Sequence, residues 1–126
     1  MAKKVDDSVL DAALNEIKTK CNLMTVCDAE PATYAAANVG GVNFLADVAM
    51  ASGDFTLANG DTSGRKVGVA QKTGITVDNT GTGTHIALLD TGNSVLLYVT
   101  TCTSQALTSG SSLTIGVWDI EIADPA

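Results

Sequence analysis

Aromatic side chains are scarce in this chain of 126 residues: one Trp, two Tyr and two Phe. A core must then be assembled from Val, Leu, Ile and Ala, a palette that suits β-sheet packing. Five scattered rings also supply few of the exposed platforms on which carbohydrate-binding modules and single-strand nucleic-acid binders depend. Cations are nearly missing beyond the N-terminus. Residues 1–20 hold four lysines against four acids, whereas residues 21–126 hold only Arg65, Lys66 and Lys72 against ten acids, so the formal charge of −7 lies entirely in that later part. Counterion release needs several phosphate contacts, and no nucleic-acid partner is expected of such a body. Long apolar runs are missing too. No segment approaches the roughly 18 residues of a membrane span, and "MAKKVDDS" has no apolar stretch behind its lysines, so neither a membrane partner nor a secretory signal is expected. The expectation is a soluble product made in the cytoplasm.

Cys21, Cys27 and Cys102 form an odd set without C-x-x-C spacing, and the single histidine, His85, is far from the first two. A zinc site would need a carboxylate as its fourth ligand, which is uncommon in structural sites. The thiols are expected to be reduced, buried small hydrophobes, compatible with a contact between Cys27 and Cys102 across neighbouring strands. No metal or other cofactor is expected.

Motifs that could carry chemistry fail on spacing. "GDTSGRK" at 60–66 resembles a phosphate loop, but Gly60 and Gly64 are one residue too close, Arg65 precedes Lys66, and Val67 stands where Ser or Thr is required. The following "RKVGVAQK" alternates as a strand, where a helix should supply its N-terminal dipole. A surface turn is the better reading, with short polar side chains bonding their own backbone. "DNTGTG" at 78–83 lacks the alternating acids and distal glutamate of a calcium loop and also reads as a turn. Asp119 and Glu121, at i and i+2 on one strand face, would lie roughly 7 Å apart, a separation compatible with a general acid and base. A solvated strand face explains them with fewer assumptions, since nothing in the sequence supplies a cleft or a raised pKa. His85 has no nucleophile motif beside it and reads as a hydrogen-bonded strand residue. No enzymatic activity is expected.

What is present is a helix followed by many short strands. "DDSVLDAALNEIKTKCN" places Leu10, Ala13, Leu14, Ile17 and Cys21 on one narrow stripe. Asp6 or Asp7 can cap its start, Lys18 and Lys20 suit its negative end, and Asn22 can close it. Its apolar face calls for cover from its own sheet or from another subunit, and periodicity leaves both open. "LMTVC" then reads as a strand, and "DAEPATYAAANVGG" as a turn, a brief helix opened by Pro31 and a glycine exit at Gly40 and Gly41. Strand-like runs follow in "VNFLADVAM", "DFTLA", "RKVGVAQ", "GITVD", "THIALLD", "SVLLYVTTC" and "LTIGVWDIEI". The fold class expected is mainly β: an antiparallel β-sandwich or jelly roll of about 7–8 short strands with an N-terminal amphipathic helix. Residues 1–22 form the arm and helix, and 23–126 a single β-rich domain. The hairpin "THIALLDTGNSVLLYVTTC" is the clearest pairing, and "ITVDNTGTGTHIALL" is a second candidate. "ALL" at 87–89 and "VLLYV" at 95–99 read as strands covered on both faces.

The order of these landmarks carries a resemblance: the helix in "VDDSVLDAALNEIKTKC", then "MTVCDAEPATYAAA", then "GDFTLANGDTSGRKVGVAQKTGITVDNTGTGTHIALLDTGNSVLLYVTTC", and finally "WDIEIADP". Over nearly the whole chain it resembles small tailed-bacteriophage virion proteins, similar in size and layout to head decoration, or capsid cement, proteins. The resemblance implies a β-rich protein on the phage head surface in many copies, with the major capsid protein and copies of itself (a dimer or trimer) as partners. It identifies no catalytic residue. A cement protein gains its hold from many weak contacts multiplied over one shell. Its acidic body would suit basic patches there, with contacts expected from Lys3, Lys4, Leu10, Leu14 and Ile17 in the arm and helix, and from Arg65 and Lys66 at an exposed turn. The alternative is a tail- or fibre-associated module that grips a host receptor.

Overall fold

The computed structural model describes residues 4–125. Helix α1 (Asp7–Lys20) is capped by Asp6, whose carboxylate accepts from Ser8 N–H at 3.0 Å. Nine strands follow: β1 (Leu23–Cys27), β2 (Phe44–Ala49), β3 (Phe55–Asn59), β4 (Arg65–Val69), β5 (Lys72–Thr76), β6 (Gly81–Asp90), β7 (Val95–Leu107), β8 (Ser112–Ile115) and β9 (Trp118–Ile122). Between β1 and β2 lies the one-turn helix α2 (Tyr34–Ala37), capped by Thr33 and not opened by Pro31, which is buried ahead of it. The run "LTIGVWDIEI", expected as one strand, is two. The chain breaks at Gly116 and Val117 and changes sheets there.

All pairings are antiparallel. The sheets have the orders β2-β1-β6-β7, β3-β4-β9 and β5-β8. The β6–β7 hairpin forms as expected, with Asp90 opposite Val95 and the turn 91–94 between them. The second expected hairpin does not form. Asp78 and Asn79 donate their amides to Leu45 O at 2.8 and 3.0 Å, and Val77 bridges Ala46, so the "VDNTG" stretch is a corner on β2. Strand β5 pairs β8 instead of β6.

Leu14 and Ile17 of α1 and Cys21 at its C-cap share one buried cluster with Met24, Val26, Ile86 and Leu88 of the first sheet and Phe55, Val67, Val69 and Ile120 of the second. The helix therefore covers its own strands, which resolves the choice the periodicity left open. Leu10, Leu14 and Ile17 are buried within the protein, and a role for these three in touching a partner is set aside; Ala13 of the expected stripe faces solvent. A smaller cluster of Cys27, Ala37, Ala87 and Leu89, joined by Tyr34, Leu96 and Val99, covers the opposite face of the first sheet. The two-sided burial expected of residues 87–89 comes from this arrangement. Strand β6 lies between β1 and β7, so Cys27 and Cys102 are on strands that do not touch, and all three thiols are free.

Long-range polar contacts fasten the helix. Lys18 Nζ donates to Ser52 O at 2.9 Å and Phe55 O at 2.6 Å, and Arg65 Nε to Asp11 Oδ1 at 2.8 Å. Asn22, expected as a helix stop, is a clip: its amide N–H meets Leu89 O, its Nδ2 donates to Thr91 Oγ1, and its Oδ1 accepts from Thr91 N.

Candidate binding cleft

β7 and β8 are consecutive arms joined by residues 108–111, yet they do not pair. Their turn is held on the corner at 77–80: Gly110 N donates to Val77 O at 2.8 Å, Ser109 N to Thr80 Oγ1 at 3.0 Å, and Ser109 Oγ to Asp78 O at 3.0 Å. Each arm then follows a different neighbour, β7 along β6 and β8 along β5. Near the middle of β7 the register shifts: Gly83 faces Gln105 and His85 faces Thr101, leaving 102–104 opposite Thr84. Such a bulge re-aims the side chains at a rim.

The arms enclose an open cleft of about 870 Å³. Its floor is core: Val26, Ile86, Leu107 and Ile115. Gly83 keeps the floor low, since a Cβ there would meet Val26 Cγ1 at 2.9 Å. Trp118, first residue of β9, closes one end. Its ring stacks on Tyr98 with centroids 6.1 Å apart, and its Nε1 is buried without a hydrogen-bond partner among the described residues. An orphaned indole N–H is uncommon, because leaving a buried donor unpaired costs roughly 1–3 kcal/mol.

Two further properties mark this face. The sheet orders leave one edge of β7 and one edge of β8 unpaired, so backbone donors and acceptors point into or beside the cleft. Between Asp90 and Asp119 the chain carries no Asp, Glu, Lys or Arg, and among the described residues Asp119 is the single charged one lining the cleft. That neutral run was visible in the sequence as a gap in the charges; which strands it would bring together was not. Cys102 also lines the cleft, half-buried, and burial raises its thiol pKa. The deeper Cys21 thiol is pushed up to about 11 by burial, and neither is primed as a nucleophile.

The residues expected to make contacts lie elsewhere. Arg65 and Lys66 open β4 and are not at an exposed turn: Arg65 pairs Asp11 with both side chains about a fifth to a quarter exposed, and Lys66 meets Asp61 at 2.7 Å and Asp119 at 3.4 Å. Burying these cations in pairs leaves little of either for a partner. Lys4 is exposed, and Lys3 lies outside the described residues. Asp119 and Glu121 are exposed carboxylates on β9, the first on Lys66 and the second accepting Asp61 N–H at 2.8 Å. They pin the 60–64 turn, where Gly64 at φ 71° passes so near β9 that a Cβ would meet Ile122 O at 1.9 Å. The stretch that resembled a phosphate loop is this turn. His85 Nδ1 bonds Thr84 Oγ1 at 2.8 Å on β6. Among the described residues no three His, Cys, Asp or Glu side chains gather as a metal site, and no helix is long and apolar enough to cross a membrane. No family model, curated protein or solved structure matches the chain.

Proposed function

We propose that this protein is a structural virion component that binds the outside of a tailed-phage capsid in many copies and stabilises the head. Its partners in this reading are the major capsid protein and further copies of itself. The first and second sheets, packed across one core, act as a β-sandwich, and the docking face lies between β7 of the first sheet and β8 of the β5–β8 pair. The observation that carries the reading is the neutral β7–β8 face, where two free sheet edges flank an apolar floor. Such a face suits adhesion by shape and backbone hydrogen bonding, and repetition over a shell multiplies weak contacts. Contact moves from the helix and the 60–66 turn to this face, with the acidic body turned to solvent.

The test is copy number. Densitometry of purified particles should give this chain a stoichiometry comparable to that of the major capsid protein. A handful of copies confined to the tail would overturn the cement reading. One observation favours a second reading, a tail-associated module that grips a host surface: a cleft of ligand size with Trp118 among its lining residues. Particle imaging that finds the chain only at tail tips would select it.

A further inference from the structure

We propose that the β7–β8 cleft receives an extended, uncharged peptide segment of the shell protein, inserted as a strand between the two arms. This rests on the adhesive reading above and names what the adhesive site holds. The strand order supplies the first reason. Because Val77 of the β5 end bridges Ala46 of β2, the strands run β8-β5-β2-β1-β6-β7 around the core, and this ring is open at the β7–β8 seam. Both lips of the seam are free edges. A guest strand there would pair on both sides and close the ring, which removes edges as barrel closure does.

Size and chemistry narrow the occupant. The four residues of β8 extend about 13 Å at roughly 3.3 Å each, and the cleft volume of about 870 Å³ lies within the usual range for a bound ligand. A guest of about four or five extended residues fits that length. The floor of Val26, Ile86, Leu107 and Ile115 takes an apolar side chain. The one charged residue lining the cleft, Asp119, already meets Lys66 at 3.4 Å, so a charged guest residue on the apolar floor would be desolvated without a free counter-ion, and the segment is neutral along its buried length. A glycan fits less well, because the one indole in the cleft is already stacked on Tyr98 and offers no open platform.

The test uses full-length protein added to undecorated heads, with Thr103→Lys and Thr114→Lys as cleft variants. Both positions are exposed at the rim, so the variants should keep the wild-type melting temperature. Thr19→Lys, on the outer face of α1, is the control. Each cleft variant should bind heads at least about tenfold more weakly, since an inserted guest would desolvate the added lysine, while the control should bind as wild type does. Overlapping peptides that tile the major capsid protein should yield a neutral segment that binds the wild type and shields Cys102 from maleimide. Wild-type decoration with full occupancy by both lysine variants would overturn the inserted strand and leave the cement reading standing. Failure of the wild type to decorate heads would overturn both. Binding on a glycan array, or a head-free dimer dissolved by the lysine variants, would assign the seam to another occupant and end the proposal.

Discussion

Asp90 ends β6 with a carboxylate that accepts three hydrogen bonds, from Gly92 N, Asn93 N and Asn93 Nδ2. The Asn93 side chain, with the two backbone donors, holds its pKa below the usual carboxylate value. A depressed folded value gives stability that is present above the unfolded pKa of about 3.9 and is lost as pH falls through the folded pKa. Asp47 behaves in the opposite sense. Burial, then a hydrogen bond and the charge of Asp78, raise its pKa, so its contribution is present below the unfolded value and is lost as pH rises through the folded one. Melting curves taken from neutral pH to about pH 2 should therefore show a shallower acid branch in Asp90→Asn. In Asp47→Asn they should show higher stability at neutral pH, by about 0.5–1 kcal/mol. An acid branch in Asp90→Asn as steep as wild type would remove the turn from the account. Turn and cap residues such as Asp90 and Asp6 were legible because their partners lie within three positions. Lys18, Asn22 and Arg65 were read as surface or helix-end residues because their partners are 34, 69 and 54 positions away, a separation that no local pattern encodes.

At the scale of elements, α1 is the piece whose role changed most. Its amphipathic stripe was plain in the spacing of Leu10, Leu14 and Ile17, but a stripe says only that something covers it. With Leu14 fully buried against the strands, removing residues 1–20 would uncover the core cluster and leave Arg65 without Asp11. The truncated chain should therefore lack the cooperative urea transition of the full protein, where the sequence alone suggested a separable arm. Leu14→Ala should cost about 2–5 kcal/mol in the same measurement; a loss below about 0.5 kcal/mol would show the helix to be loosely docked. The two hairpin candidates illustrate what turn chemistry can and cannot settle. "DTGN" and "DNTG" offer similar Asx and glycine signals, and only the first closes a hairpin. The second is diverted because Leu45 O captures two of its amides, a tertiary contact that outweighs local preference.

For the whole molecule, composition was a sound guide to class: few rings, many Val and Leu and frequent turn residues gave a mainly β chain. It was a poor guide to the proposed docking face, because net charge does not report where charges are missing. An acidic body drawn to basic patches predicts binding that fades with salt; docking through the neutral seam predicts binding that persists. Head occupancy measured across a salt series up to several times physiological ionic strength should change less than about twofold. A steep decline would return the contact to the acidic surface. The Asn22 clip also bears on how the chain is made. Thr91 follows Asn22 by 69 positions, and at about 5–20 residues per second a ribosome needs roughly 3–14 s to span that gap. For that interval the nascent helix has no hairpin to hold, and the stripe of Leu10, Leu14 and Ile17 stays uncovered.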